Sequence, residues 1–231
     1  MRMNGKIGIL VHGRHLQAKN WADLEWGIPP TKMGVLPTMA RLILKIGIEK
    51  IGLIVFGTGA SEKDGLKEAE YTKRYFLNKL IYLLEFDFFI NHPEWNYIAL
   101  SDYFLNMIRP EIQSQNTLEE IRNAARLFAE ANIKYVLQIS CGSHISRCIR
   151  DRLIVGVPKD QEWFAVADDM FFADSTAKDV VIIEAPHRGD DPMINAPIKP
   201  HQIVPRLFKI PAPERMKFLA ELDTFLKNYR A

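Results

Sequence analysis

The chain predicts an α/β fold, a three-layer sandwich around a mainly parallel sheet. Three observations carry this expectation. The short runs at 7–11 and 51–56 are continuously apolar rather than alternating, as in strands buried on both faces. The segments that follow such runs repeat their apolar residues at helical spacing. Strand and helix keep alternating along the chain, an order that favours right-handed crossovers onto one parallel sheet. With 231 residues and 48% hydrophobic composition, the chain can bury one core, so a single domain over 1–231 is expected.

The first strand, 7–11, runs into His12-Gly13-Arg14-His15. Residues 37–46 follow as a helix that Gly47 stops, and the second strand ends at Gly57-Thr58-Gly59. From Leu66 onward, Ala69, Thr72, Phe76, Leu80 and Leu83 share one helical face. Residues 85–110 hold no sustained period, which predicts a short strand and irregular turns. After Asn116, the stripe Leu118, Ile121, Ala125 and Phe128 predicts a helix, and 134–139 a strand. Further strands are expected at 163–166 and 180–183. A terminal helix is expected over 214–229, with Met216, Leu219, Leu222 and Leu226 inward. Prolines 192, 197, 200, 205, 211 and 213 make the approach to that helix extended. The segments around Trp21 and Trp26 and around Phe171 and Phe172 have no role fixed by pattern. A lid, a dimer contact and plain packing all stay open.

Composition narrows the function. A net charge of +2, from 30 basic and 28 acidic residues, lacks the basic excess of a nucleic-acid binder. Cys141 and Cys148 do not make a disulfide framework, which fits a reducing cytoplasm. The first residues lack the long apolar region of a signal peptide. The most apolar stretch, 40–56, is cut by Arg41, Lys45, Glu49 and Lys50, so no membrane insertion is expected. A small-molecule ligand is the expected partner, with homo-oligomerisation left open.

In open parallel sheets, ligands collect at the carboxyl ends of the strands. The loop after the first strand offers His12 and Arg14 to an anion or a carbonyl, and Gly13 permits close approach of the backbone. No carboxylate or cysteine nearby in sequence completes a metal site around His12 and His15. Gly57-Thr58-Gly59 can cradle a phosphate or serve simply as a turn, and it lacks the full dinucleotide or phosphate-loop pattern. Glu68 sits in a first helical turn, where the dipole favours it; in a pocket it would act as a general base or hold a ligand hydroxyl or amine. Thr117 with Glu120 has capping-box spacing, which leaves Glu111, Ser114 and Asn116 free for a ligand. Ser143 can cap the next helix, with His144 and Arg147 on one face beside its positive end. Cys141 has the surroundings of a nucleophile, though a small buried residue is the favoured reading.

Taken in order, these segments resemble the YdcF/SanA/ElyC family, a group of Rossmann-like α/β domains largely of unknown function. The resemblance rests on Gly57-Thr58-Gly59, on Lys67-Glu68-Ala69-Glu70, on the Glu111 to Glu120 segment, and on Ser140 with Ser143-His144-Ile145-Ser146-Arg147. It implies a Rossmann-like sheet and a pocket drawn from Gly57, Gly59, Glu68, Glu111, Ser114, Asn116, Thr117, Glu119, Ser140, His144 and Arg147. Glu120 departs from the family, which often has Asn there, and the His12-Gly13-Arg14-His15 loop replaces a simpler glycine turn.

The expected function is cytoplasmic binding of a nucleotide-like or phosphorylated small molecule, with S-adenosylmethionine one such ligand. Glu68 and His144 would move a proton in a hydrolase or transferase, and Arg147 with the helix starts would hold the anion. The alternative is a non-catalytic metabolite-binding or regulatory protein of cell-envelope metabolism.

Overall fold

The computed structural model describes residues 5–18, 20–170 and 210–228. Contacts divide the chain into two units, Met1–Val180 and Val181–Ala231. In the first unit, β1 (Ile7–Val11) leads to α1 (Trp21–Trp26), a small hairpin of β2 (Gly27–Ile28) and β3 (Lys32–Met33), and α2 (Val35–Ile46). Next come β4 (Ile51–Gly57), a second small hairpin of β5 (Glu62–Lys63) and β6 (Leu66–Lys67), and α3 (Glu68–Lys79). A 3-10 turn at Leu80–Glu85 passes to α4 (Asp87–Ile90), α5 (Tyr97–Met107) and β7 (Ile108–Glu111). The unit continues through α6 (Thr117–Glu130), β8 (Tyr135–Ser140), α7 (Gly142–Val155) and β9 (Glu162–Ala167). In the second unit the described element is α8 (Ala212–Asn228).

The central sheet has the order β7-β4-β1-β8-β9, with every pairing parallel. Counted along the chain this is 3-2-1-4-5, the Rossmann-like arrangement in which the chain reverses its direction of winding beside the first strand. The switch point therefore lies between β1 and β8, and His12 N donates to Ile139 O there at 3.0 Å.

Both faces of the sheet are covered, which explains the continuously apolar strands. On one face Val11, Ile54 and Phe56 pack with Leu36, Met39 and Ile43 of α2, Phe76 of α3 and Phe104 of α5. On the other, Leu10, Val55 and Val136 meet Ile121, Ala124 and Phe128 of α6. The expected helical face is buried at Ala69, Thr72 and Phe76 of α3 and at Leu80 and Leu83 of the 3-10 turn that follows. Each such aliphatic or aromatic side chain contributes roughly 1.5–3 kcal/mol on burial.

Two expectations are corrected. Residues 85–110 contain the helices α4 and α5 as well as β7. Only Leu100 and Phe104 of α5 are buried, while Tyr97, Ile98 and Leu105 are exposed, so its apolar residues do not trace one stripe. In α8, Met216 is 54% exposed rather than inward, and Leu219 and Leu222 are half-buried. The expected strand at 180–183, the Phe171-Phe172 segment, the prolines from 192 to 205 and the side chain of Leu226 lie outside the described residues. No helix among the described residues is long and apolar enough to cross a membrane.

Candidate functional site

The carboxyl ends of β1, β4 and β8 bring three of the suggestive loops together. β1 delivers His12, which is 2% exposed, into the gap beside β8. Its Nδ1 lies 2.8 Å from Glu120 Oε2, and its Nε2 lies 3.2 Å from Gln138 Oε1. Burial disfavours the charged ring, but Cys148 and Glu120 beside it raise the His12 pKa well above its ordinary value. An imidazolium that donates from both nitrogens fits these partners. The other oxygen of Glu120 accepts the Gly13 N–H at 2.9 Å.

Glycine is needed where these loops touch. A Cβ on Gly57 would collide with the Glu120 carboxyl, and one on Gly13 with Glu68 Oε1, Gly57 O and Thr58 Cγ2. On Gly59 it would strike the backbone of Ile112. The glycine-rich turn thus admits close contact with α6 and with the loop after β7. Gly59 N donates to Ser114 O at 3.0 Å.

Glu68, at the start of α3, is 1% exposed. Its carboxylate accepts from Ser61 Oγ, and Thr58 bonds it from the turn. Burial pushes its pKa up to about 7, the bonds from Ser61 and Thr58 oppose the rise, and the nearby charge of Glu120 adds to it. Glu68 is therefore poised to gain or lose a proton near neutrality.

His144, one turn into α7, faces the same place. Its ring lies edge-on to that of His12 with centroids 6.0 Å apart. Ser140 Oγ is 3.0 Å from Nδ1, Arg147 Nη2 is 2.6 Å from Nε2, and Thr117 Oγ1 is 3.5 Å from Nε2. The Arg147 donor assigns the lone pair to Nε2 and the proton to Nδ1, which can donate to Ser140. Burial first, then the charges of Arg147, His12, Arg14 and Arg150, hold His144 well below its ordinary pKa. It is neutral at pH 7. Ser143 lies in α7, but its side chain is outside the described residues.

The remaining expected residues divide by task. Glu111 accepts from the Gln113 and Ser114 amides at 2.8 and 3.2 Å, from Asn123 Nδ2 at 3.1 Å and from Ser114 Oγ. Through these bonds Glu111 and Ser114 tie down the loop before α6. Asn116 and Glu119, expected among the ligand residues, form the cap of α6. Asn116 Oδ1 accepts the Glu119 N–H at 3.0 Å, and Glu119 accepts the Gln115 N–H at 2.8 Å. Thr117 and Glu120, expected to form that cap, are shifted one position along and turn inward instead.

The helix starts are less available to an anion than expected. The N-cap of α7 is Cys141 rather than Ser143, and Asp168 Oδ1 accepts the Gly142 N–H at 3.3 Å. Arg14 donates to Cys141 Sγ, and its Nε lies 3.6 Å from Glu25 Oε1. Burial raises Glu25 to about 8 and Asp168 to about 7. The strand ends are therefore of mixed charge, with Glu25, Glu68, Glu120 and Asp168 set among His12, Arg14 and Arg147.

Sequence reading missed Glu25, Glu120, Gln138, Cys148 and Asp168. Glu25, Glu120 and Gln138 sit at positions of buried helix or strand faces, and polar residues at such positions were the available signal. Among the described residues no group of three or more His, Cys, Asp or Glu is arranged to hold a metal ion. A surface groove lined by Leu66, Glu70, Lys73, Arg74, Leu77, Asn78 and Pro110 lies on α3 and involves none of the site residues. No family model matches the chain, and no curated protein or solved structure proves similar to it.

Proposed function

We propose that the chain binds a small nucleotide-like or phosphorylated molecule at the carboxyl ends of β1, β4 and β8, and acts on it by hydrolysis or group transfer. The observation that carries this reading is the pairing of two proton-handling groups with opposite displacements at one switch point. Burial brings Glu68 up to about 7, while burial and neighbouring cations keep His144 neutral. Glu68 is the general acid or base. A ligand anion that draws Arg147 toward itself would free the His144 Nε2 lone pair as a second proton acceptor, and Arg147, which makes no ion pair among the described residues, supplies charge for that anion. S-adenosylmethionine is one nucleotide-like ligand of this class. Cys141 and Cys148 are both buried thiols, which accords with the reducing cytoplasm we assign to it.

A non-catalytic reading, a metabolite sensor linked to cell-envelope metabolism, is favoured by one observation. Glu68, Ser61, Thr58, His12 and Glu120 already hydrogen-bond within the protein. Turnover separates the two readings. Native mass spectrometry would identify a copurifying ligand, and a panel of phosphate esters, nucleotides and methyl donors would then be assayed. Product formation that falls about 10²-fold or more in Glu68→Gln supports the enzyme. Stoichiometric binding without product leaves the sensor.

A further inference from the structure

Glu25 is the least satisfied charged side chain of the site. It is 2% exposed, and neither carboxyl oxygen has a hydrogen-bond partner. Its ion-pair contact is Arg14 Nε at 3.6 Å, beyond hydrogen-bond range, and that guanidinium already donates to Cys141 Sγ. Asp168 shares the surroundings of Arg14 and spends Oδ1 on the Gly142 and Met170 amides. Its Oδ2 is buried without a hydrogen bond, and so is the hydroxyl of Tyr75, which also senses Glu25. Glu68 completes the group of charges that Glu25 feels.

α1 is held so as to present this carboxyl. Trp21 Nε1 donates to Arg14 O at 3.0 Å, and the rings of Trp21 and Trp26 both stand edge-on to Tyr75. The tryptophans that sequence left without a role thus fix Glu25 beside Arg14.

We propose that Glu25 and Asp168 form a second, acidic end of the ligand site and take a protonated primary amine of the ligand. This inference rests on the proposed small-molecule reading and adds that the ligand carries a cation as well as an anion. A buried carboxyl without hydrogen bonds costs about 1–3 kcal/mol or more, and an ammonium brings three donors. An organic cation fits better than a metal ion, because the oxygens do not gather into a metal-holding group among the described residues. Burial raises both carboxyls toward the neutral form, so an ammonium beside them would favour their ionised form.

The test is carboxyl carbon NMR of the whole wild-type protein labelled at glutamate, with the Glu25 signal identified through Glu25→Gln or Glu25→Asp. The titration midpoint of Glu25 is followed with ethylammonium chloride, sodium chloride or ethanol. Ethylammonium is expected to lower the midpoint by about one pH unit, a tenfold preference for the ionised form. Sodium chloride and ethanol should leave it in place. A midpoint indifferent to ethylammonium overturns the inference and makes Glu25 a structural partner of Arg14 alone. Inorganic phosphate is added separately while the His144 ring signals are read. A phosphate response without an ammonium response removes the acidic end and keeps the anion site. An ammonium response without a phosphate response does the reverse.

Discussion

Glu120 shows how one residue can organise the strand ends. It takes the Gly13 amide with one oxygen and the His12 ring with the other, so removing its charge strands a buried imidazolium. Breaking a buried pair from one side costs about 3–5 kcal/mol. Glu120→Gln is therefore expected to lose about 3 kcal/mol or more in urea unfolding, and a loss below 1 kcal/mol would mean that His12 is neutral. The glycines give a sharper contrast. Gly59→Ala sets a Cβ against the backbone of Ile112, whereas Gly142→Ala meets no atom closer than Met170 O at 3.8 Å. The first should destabilise by about 1–3 kcal/mol, and the second should be neutral or slightly stabilising because alanine favours the helix. Equal effects in thermal unfolding would contradict this account of the turn.

At the scale of the element, the start of α6 separates support from function within five residues. Asn116 and Glu119 close its first turn on the outside, while Thr117 and Glu120 reach inward to His144 and His12. Asn116→Ala is expected to cost about 1 kcal/mol of stability, the value of a lost cap. The response of His144 to phosphate should survive that change. If it disappears while the fold is retained, Asn116 belongs to the ligand after all. α7 works differently: one turn carries His144 and Arg147, and a carboxylate from the end of β9 occupies its first amide. Positive charge at this end comes from side chains more than from the helix start.

For the whole molecule, the buried carboxyls make stability depend on pH. Glu25, Glu68 and Asp168 have ordinary values of 4.5, 4.5 and 3.8 and are raised in the fold to about 8, 7 and 7. Between these limits the folded protein binds more protons than the unfolded chain, so stability falls as pH rises. His12, raised above 6.5, adds in the same direction above that pH. His144, lowered below 6.5, opposes it only on the acid side of 6.5. The melting temperature is expected to fall between pH 6.5 and 8 when followed by circular dichroism at constant ionic strength. A flat or rising profile would show that these carboxyls are ionised in the native state.

The sequence by itself determined the parallel α/β architecture, because continuous apolar runs and helical stripes mark which segments lie under cover, whatever their partners. It also placed Glu68, Thr117, Ser140 and His144 in loops and helix starts at the strand ends, where short-range turn and cap patterns are visible. It misread α5, whose exposed Ile98 and Leu105 blur the stripe, and it assigned the α6 cap one residue late. Only tertiary structure decided that Glu120 reaches His12 across 108 positions, that Glu25 lies beside Arg14, and that Asp168 sits at the start of α7. Those contacts join distant segments. A charged residue in a chain carries no local mark of the partner that folding brings to it, nor of the burial that resets its proton affinity.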